Sequence, residues 1–302
     1  MSSTDAKIAI IGCGRWGKNL IRVFDDIADV VLCCHLGGAQ NRQWMEDTYP
    51  SIPLTTSFEQ VLDADPDAAV VATPVETHYS LTKQLLQQGI HTFVEKPLTA
   101  DPASVAELSA LARDCQTVLF VGYIFVHHPV FQRLKAIHND SPFVHVELEW
   151  RKRRVSDTDI IASLASHDIA LLYDLFGTQP DSLTKTNSVQ ALDARNIVSI
   201  QAAFEDATCR IQLNRVDIQK RKTATFVTSS GDVFLWDDHE LYHATTADDG
   251  FETVFRSEKE PLKVEVRRFL DCVETNRTPV TDGQFGATVT TLFDGLSDPS
   301  SD

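Results

Sequence analysis

The sequence predicts an α/β protein: a doubly wound parallel sheet at the N-terminus, then an α+β domain with a large, mostly antiparallel sheet. Three observations lead there. The run 7–17, KIAIIGCGRWG, is an apolar strand leading into a glycine turn and a helix. Over the first 120 residues, short apolar runs alternate with amphipathic stretches, the pattern of βα units. Beyond Gly122 helical stretches thin out and strand-like runs follow one another. The expected domains are residues 1–121 and 122–302.

Each glycine of the first turn has a separate task. Gly12 makes the turn, Gly14 leaves room for a pyrophosphate against the backbone, and Gly17 lets helix and strand pack closely. The free amides of the helix N-terminus then face an anion. This predicts a Rossmann dinucleotide-binding domain. Strands are expected at 30–34, 68–72 (ending at Thr73 and Pro74), 92–94 and 117–121. Helices are expected around Leu81, Leu85 and Leu86, closed by Gly89, and at 105–114. Ligands of such sheets bind beyond the carboxyl ends of the strands, where the glycine turn, Thr73 and Pro74, Glu95 to Pro97, and Gly122 with Tyr123 all stand. Downstream, helices at 130–138 and about 160–176 flank a strand at 143–150. Strand-like runs follow at 198–204, 208–213, 224–228, 233–236 and 241–244. Helices at 262–275 and 285–296 precede a frayed end at 297–302.

Forty-three acidic against 27 basic residues give a net charge of −16, which argues against a general nucleic-acid surface. The basic run RKRR at 151–154 reads as a solvated strand edge or a subunit contact. The loop 151–159 is expected to reach the substrate cleft. With 11 Lys against 16 Arg, the acid-heavy surface resembles that of proteins from salt-rich (halophilic) cytoplasm, where screening shrinks self-repulsion. No run approaches the ~20 apolar residues of a membrane span, and the residues before the first strand do not match a secretory leader. Six scattered cysteines without a C-x-x-C spacing read as small buried hydrophobes, with neither a zinc site nor a disulfide framework. The expectation is a reduced, cytoplasmic protein with no bound metal, no nucleic-acid partner and no membrane partner.

Two places carry candidate chemistry. Lys96 either sits solvated in a proline-stiffened turn, or its ammonium bonds to a substrate hydroxyl and favours the developing alkoxide. In the second helix, Ile160, Ile161, Leu164, Leu171 and Leu175 mark the core side, and Ser163 and His167 share a face four residues apart. His167 titrates near neutrality and can accept a hydroxyl proton as hydride leaves the same carbon, or it is a satisfied structural group. Asp168 points away from it. His127 and His128 are alternatives for the base, or with Pro129 they simply shape a turn.

The segments GCGRWG (12–17), ATPVETHYSL (72–81), VEKPLT (94–99), GYIFVHHP (122–129), SLASHDIALLYDLFG (163–177) and EPLKVEVRRFLDCV (260–273) together resemble the Gfo/Idh/MocA oxidoreductase family over nearly the whole chain. The resemblance implies an NAD(P)-dependent enzyme acting on a sugar or nucleotide-linked sugar. It further implies a Rossmann domain followed by a C-terminal domain with a large, mainly antiparallel sheet, through which a homo-oligomer forms. By motif, Lys96 is the implied active-site lysine and His167 the acid/base histidine. The implied cofactor site comprises Gly12, Gly14, Arg15, Trp16, Gly17, His35, Arg42, Thr73, Pro74, His78, Glu95, Lys96 and Tyr123. The implied substrate site comprises Lys96, Tyr123, His128, Ser163 and His167. Two departures stand out. Ser163 and Ala170 occupy positions that are often acidic in the family, so a decayed dinucleotide-binding regulatory or scaffold protein is the alternative reading. The second strand ends at His35 rather than at a carboxylate, which removes a charge that would repel a 2′-phosphate. Arg42 either reaches that phosphate or lies solvated on the next helix. NADP is favoured slightly, with NAD open.

Overall fold

The computed structural model describes residues 5–35, 37–99, 101–153, 159–190, 195–245 and 250–296. Leu36, Arg154, most of the loop 151–159 and the end 297–302 lie outside the described residues. The chain forms two units, residues 1–124 with 260–290, and residues 125–259 with 291–302.

The first unit opens with β1 (Lys7–Ile11), α1 (Gly17–Ile27), β2 (Asp29–Cys34), α2 (Ala39–Thr48), β3 (Leu54–Thr55) and α3 (Glu59–Asp63). It continues with β4 (Ala68–Val71), α4 (Val75–Gln87), β5 (His91–Glu95), α5 (Pro102–Asp114) and β6 (Leu119–Gly122). The strands form a parallel sheet in the order β3-β2-β1-β4-β5-β6. The order reverses beside β1, and a doubly wound sheet opens its ligand crevice at that switch point. Register explains why the expected motifs share one edge. Ile11 pairs with Val71, Val71 with Val94, and Val94 with Val121. The loops after β1, β4, β5 and β6 therefore leave the sheet at one level.

The second unit holds α6 (Pro129–Asp140), β7 (Phe143–Arg151), a π-helical turn (Ile161–Ala165) and α7 (Ser166–Phe176). Seven strands follow: β8 (Ser182–Gln190), β9 (Arg195–Phe204), β10 (Ala207–Asn214), β11 (Arg221–Thr228), β12 (Val233–Asp237), β13 (Glu240–Ala244) and β14 (Glu252–Arg256). The sheet order is β14-β13-β12-β11-β7-β10-β9-β8. Among the described pairs only β7 and β10 run parallel. On β10, Ala207, Cys209, Ile211 and Leu213 are buried and alternate with more exposed residues, as a sheet covered on one face requires. The helix expected over 160–176 comes in two pieces. Ser163 lies in the π-helical turn, so the α-helical i, i+4 geometry assumed for Ser163 and His167 does not apply strictly.

The chain ends with α8 (Pro261–Thr275) and α9 (Gly283–Asp294). Residues of α8 complete the core of the first unit. Phe269 is fully buried and meets Phe93 and Phe120 edge-on, with ring centroids 5.6 and 5.7 Å away. Phe24 of α1 joins the cluster at 6.2 Å from Phe269.

Candidate active site

In the first unit the glycine turn is built as its chemistry requires. Gly12 has φ +107°, and a Cβ there would collide with the Ala72 carbonyl oxygen. A Cβ on Gly17 would collide with the Gly12 carbonyl. Gly14 is exposed, and a Cβ there would find nothing within 4 Å, which leaves an open side for a ligand. The turn is pinned by Gly12 N–H donating to Cys34 O at 2.8 Å and Ala72 N–H donating to Ile11 O at 2.8 Å. These residues fit a dinucleotide pyrophosphate at the N-terminus of α1.

The neighbouring strand ends are linked through side chains. Arg15 and Trp16 are exposed, and Trp16 Nε1–H donates to Glu95 Oε1. His78 is 2% exposed, with Nδ1 2.9 Å from Pro97 O and Nε2 2.9 Å from Thr73 O. Burial lowers its pKa while the carbonyls oppose that. His78 therefore braces the loops that carry Thr73 and Lys96, with both ring nitrogens directed at backbone. Thr73 Oγ1 lies 2.7 Å from Thr77 Oγ1, and Pro74 precedes the first turn of α4. His35 is buried, and its N–H donates to Thr55 O at 2.9 Å. Arg42 pairs with Glu46 at 2.9 Å on an exposed face of α2. Tyr123 is 1% exposed and packs edge-on against Phe285, centroids 5.5 Å apart. Its ring belongs to the interior of this unit, and burial raises the phenol pKa.

Glu95 stands immediately before Lys96. Burial pushes its carboxyl up to about 7, against the pull of Trp16 and the Lys96 charge. Glu265 of α8, which the sequence reading did not single out, is fully buried, and neither carboxyl oxygen has a hydrogen-bond partner among the described residues. Burial, reinforced by the nearby Glu95, lifts its pKa well above the carboxylate range.

In the second unit, Ser163 Oγ donates to Asp159 O at 2.6 Å and accepts from Arg215 Nη2. Where the family often has a carboxylate, this chain places a hydroxyl beside a buried arginine. His167 packs its ring edge-on against Phe125, 5.1 Å between centroids, and beside Trp150 at 6.2 Å. His128 is 3% exposed and caps α6, its Nδ1 accepting from Val130 N–H at 3.2 Å. Its ring lies 4.8 Å from that of Trp236, and burial, with Lys222 and His239 nearby, drives its pKa down to about 3. A neutral, capping His128 is a poor proton acceptor. Asp168 is 3% exposed, and burial pushes its carboxyl up to about 7 against the pull of the Lys222 charge. Lys222, on β11, gave no signal in the sequence, because neither its burial nor its aromatic surroundings can be read from strand periodicity.

A glycine turn pinned at the switch point of a parallel sheet defines the class: a dinucleotide-dependent protein of Rossmann type. Residues 6–123 match the Gfo/Idh/MocA oxidoreductases with an NAD-binding Rossmann fold. The UDP-N-acetylglucosamine 3-dehydrogenase of Acidithiobacillus ferrooxidans is 26% identical over 238 residues, 75% of this chain and 76% of that protein. The dTDP-3,4-didehydro-2,6-dideoxy-alpha-D-glucose 3-reductase of Streptomyces violaceoruber is 41% identical over 113 residues, 37% of this chain and 31% of that protein. A crystal structure of the Acidithiobacillus enzyme superposes with a TM-score of 0.89 at 20% identity, covering 97% of each chain. A dehydrogenase from Chromobacterium violaceum gives 0.85 at 17% identity, covering 98% of this chain and 95% of that one. At these identities structural likeness establishes the fold.

Proposed function

We propose that the protein reversibly oxidises a secondary hydroxyl of a sugar or nucleotide-linked sugar. The dinucleotide supplies the hydride acceptor, and the glycine turn with the α1 N-terminus holds its pyrophosphate. Lys96 bonds to the substrate oxygen and favours its alkoxide character, while His167 accepts the hydroxyl proton. The observation that carries this reading is the common level at which the four strand-end loops leave the first sheet. The sugar class follows the similarity to the UDP-N-acetylglucosamine 3-dehydrogenase. NADP is the preferred cofactor, because His35 stands where a carboxylate would repel a 2′-phosphate. The protein works as a homo-oligomer built on the second sheet, in a salt-rich cytoplasm.

The test is a panel of free and nucleotide-linked sugars assayed with NADP and NAD, alongside thermal shifts with each dinucleotide. We expect stabilisation by a dinucleotide, larger with NADP, and turnover of at least one nucleotide-linked sugar. Lys96→Ala and His167→Ala should each lower kcat by roughly 10²-fold or more. Unchanged melting temperature with both saturating dinucleotides would sink the proposal. The second reading, a decayed dinucleotide-binding regulator, draws on the Ser163–Arg215 contact. It predicts binding without turnover.

A further inference from the structure

The second sheet and α7 border a cavity of about 310 Å³, at the lower end of the range for small-molecule sites. Register sets its floor. Lys222 pairs with Trp150, and Ala224 with both Leu148 and Trp236, so these side chains rise from one face of the sheet. From α7 come Asp168 and Leu171, three residues apart on one side of the helix, and Phe125 and His128 also line the space. The Lys222 Nζ lies over the Phe125 ring, 4.6 Å from the centroid of Trp150 and 5.6 Å from that of Trp236. Those ring faces attract an ammonium but give its N–H groups no lone pair to bond. The Lys222 Nζ and the Asp168 Oδ2 are both buried, and neither has a hydrogen-bond partner among the described residues. Phe125 and Trp150 are also the rings against which His167 packs, so the cavity lies next to the imidazole.

We propose that this cavity is a sugar subsite in which Lys222 and Asp168 select an uncharged ring: one hydroxyl accepts from the Lys222 ammonium and a neighbouring one donates to the Asp168 carboxylate. The proposal rests on the reading of the protein as a sugar dehydrogenase with His167 as its acid/base group. A buried donor and a buried acceptor left unbonded each cost free energy, and a ligand that bonds both removes both costs. Ligand classes separate on that requirement. A carboxylate or phosphate satisfies Lys222 but meets Asp168 with like charge, and an ammonium satisfies Asp168 but is repelled by Lys222. A hydroxyl donates and accepts, so a pair of them suits both walls without a charge of its own. The apolar C–H edges of the ring then lie against Phe125 and Trp236, in the usual division of a ligand pocket into apolar walls and a few polar groups. The rim reinforces the choice, since Lys220, Arg221, Asp237 and Asp238 are two of each sign. Glu149 is taken by Arg151.

The experiment titrates three sugars into the full-length protein by calorimetry, with reduced dinucleotide present so that no hydride can leave the ring. The probes are UDP-N-acetylglucosamine, its 6-carboxylate form and its free 2-amine, protonated in the assay. The uncharged form should bind about 10-fold or more tightly than either charged one. Lys222→Met and Asp168→Asn should each weaken its binding about 10-fold or more, with dinucleotide Kd as in the parent. The two variants should also differ in kind: Asp168→Asn relaxes the exclusion of the carboxylate, and Lys222→Met that of the amine. A carboxylate or amine form bound within about twofold of the uncharged sugar would overturn the proposal, as would failure of all three to bind. Variants in which the three affinities fall together would do the same, since that is the mark of a merely structural role. The three-sugar comparison uses the unaltered protein and decides the matter even where a variant does not fold. Loss of dinucleotide binding, or of turnover across the whole sugar panel, would instead tell against the proposed function, a separate result.

Discussion

Glu265 shows how much of the chemistry is decided by single buried side chains. Its carboxyl has no hydrogen-bond partner among the described residues and is held protonated, with Glu95 as the nearby charge. The native pKa is raised, so between about 4.5 and that value the folded chain binds a proton that the unfolded chain has released. Stability from this group is therefore fully present below about pH 4.5 and is lost as pH rises. Glu265→Gln removes the linkage while keeping the shape. Its melting temperature should match that of the parent near pH 4.5 and exceed it by about 3 °C or more at pH 8. A gap that stays constant with pH, measured by scanning calorimetry, would show that Glu265 does not carry the effect. Nothing in the sequence distinguished Glu265 or Lys222 from the surface charges around them, because burial of a charge is a tertiary property. Lys96 and His167 stand out in the sequence because each sits in a motif of its own.

At the scale of elements, legibility followed patterning. The buried strands β1, β4, β5 and β6 read as apolar runs, since both faces of a parallel sheet are covered. β8 has the sequence SLTKTNSVQ and is largely exposed along its length, and β14 is likewise exposed at most positions. Neither shows the alternation that marks a half-buried strand, and both were missed. α2 buries only Met45 among its ten residues, too little for a helical stripe. α8 was legible as a helix, but its membership of the first unit was not, because a packing partner nearly 150 residues away leaves no local trace. The Phe24, Phe93, Phe120 and Phe269 cluster makes that membership testable. Phe269→Ala empties a fully buried site and should destabilise the first unit by about 3–5 kcal/mol. Urea unfolding followed by dinucleotide fluorescence would check this. A loss below about 1 kcal/mol would mean that α8 contributes little to that core.

For the molecule as a whole the governing quantity is charge. A net −16 on 302 residues makes self-repulsion a term that every exposed acid shares, and it is the term most sensitive to ionic strength. The screening length falls from about 10 Å at 0.1 M to about 3 Å at 1 M salt. Repulsion between acids a few residues apart is therefore largely removed over that range, while buried charges are screened far less. Melting temperature should accordingly rise with KCl between ~0.1 and ~1 M. The electrostatic origin can be separated from general salting-out by removing charge. Asp63, Glu205 and Asp206 are exposed, and Asp63→Asn, Glu205→Gln and Asp206→Asn together take away three negative charges without touching a core contact. The triple variant should melt higher than the parent at low salt and gain less from KCl, so that the two curves converge near 1 M. Parallel curves would assign the salt response to solvent exclusion from the surface, and the acid-rich composition would then carry no adaptation to salt.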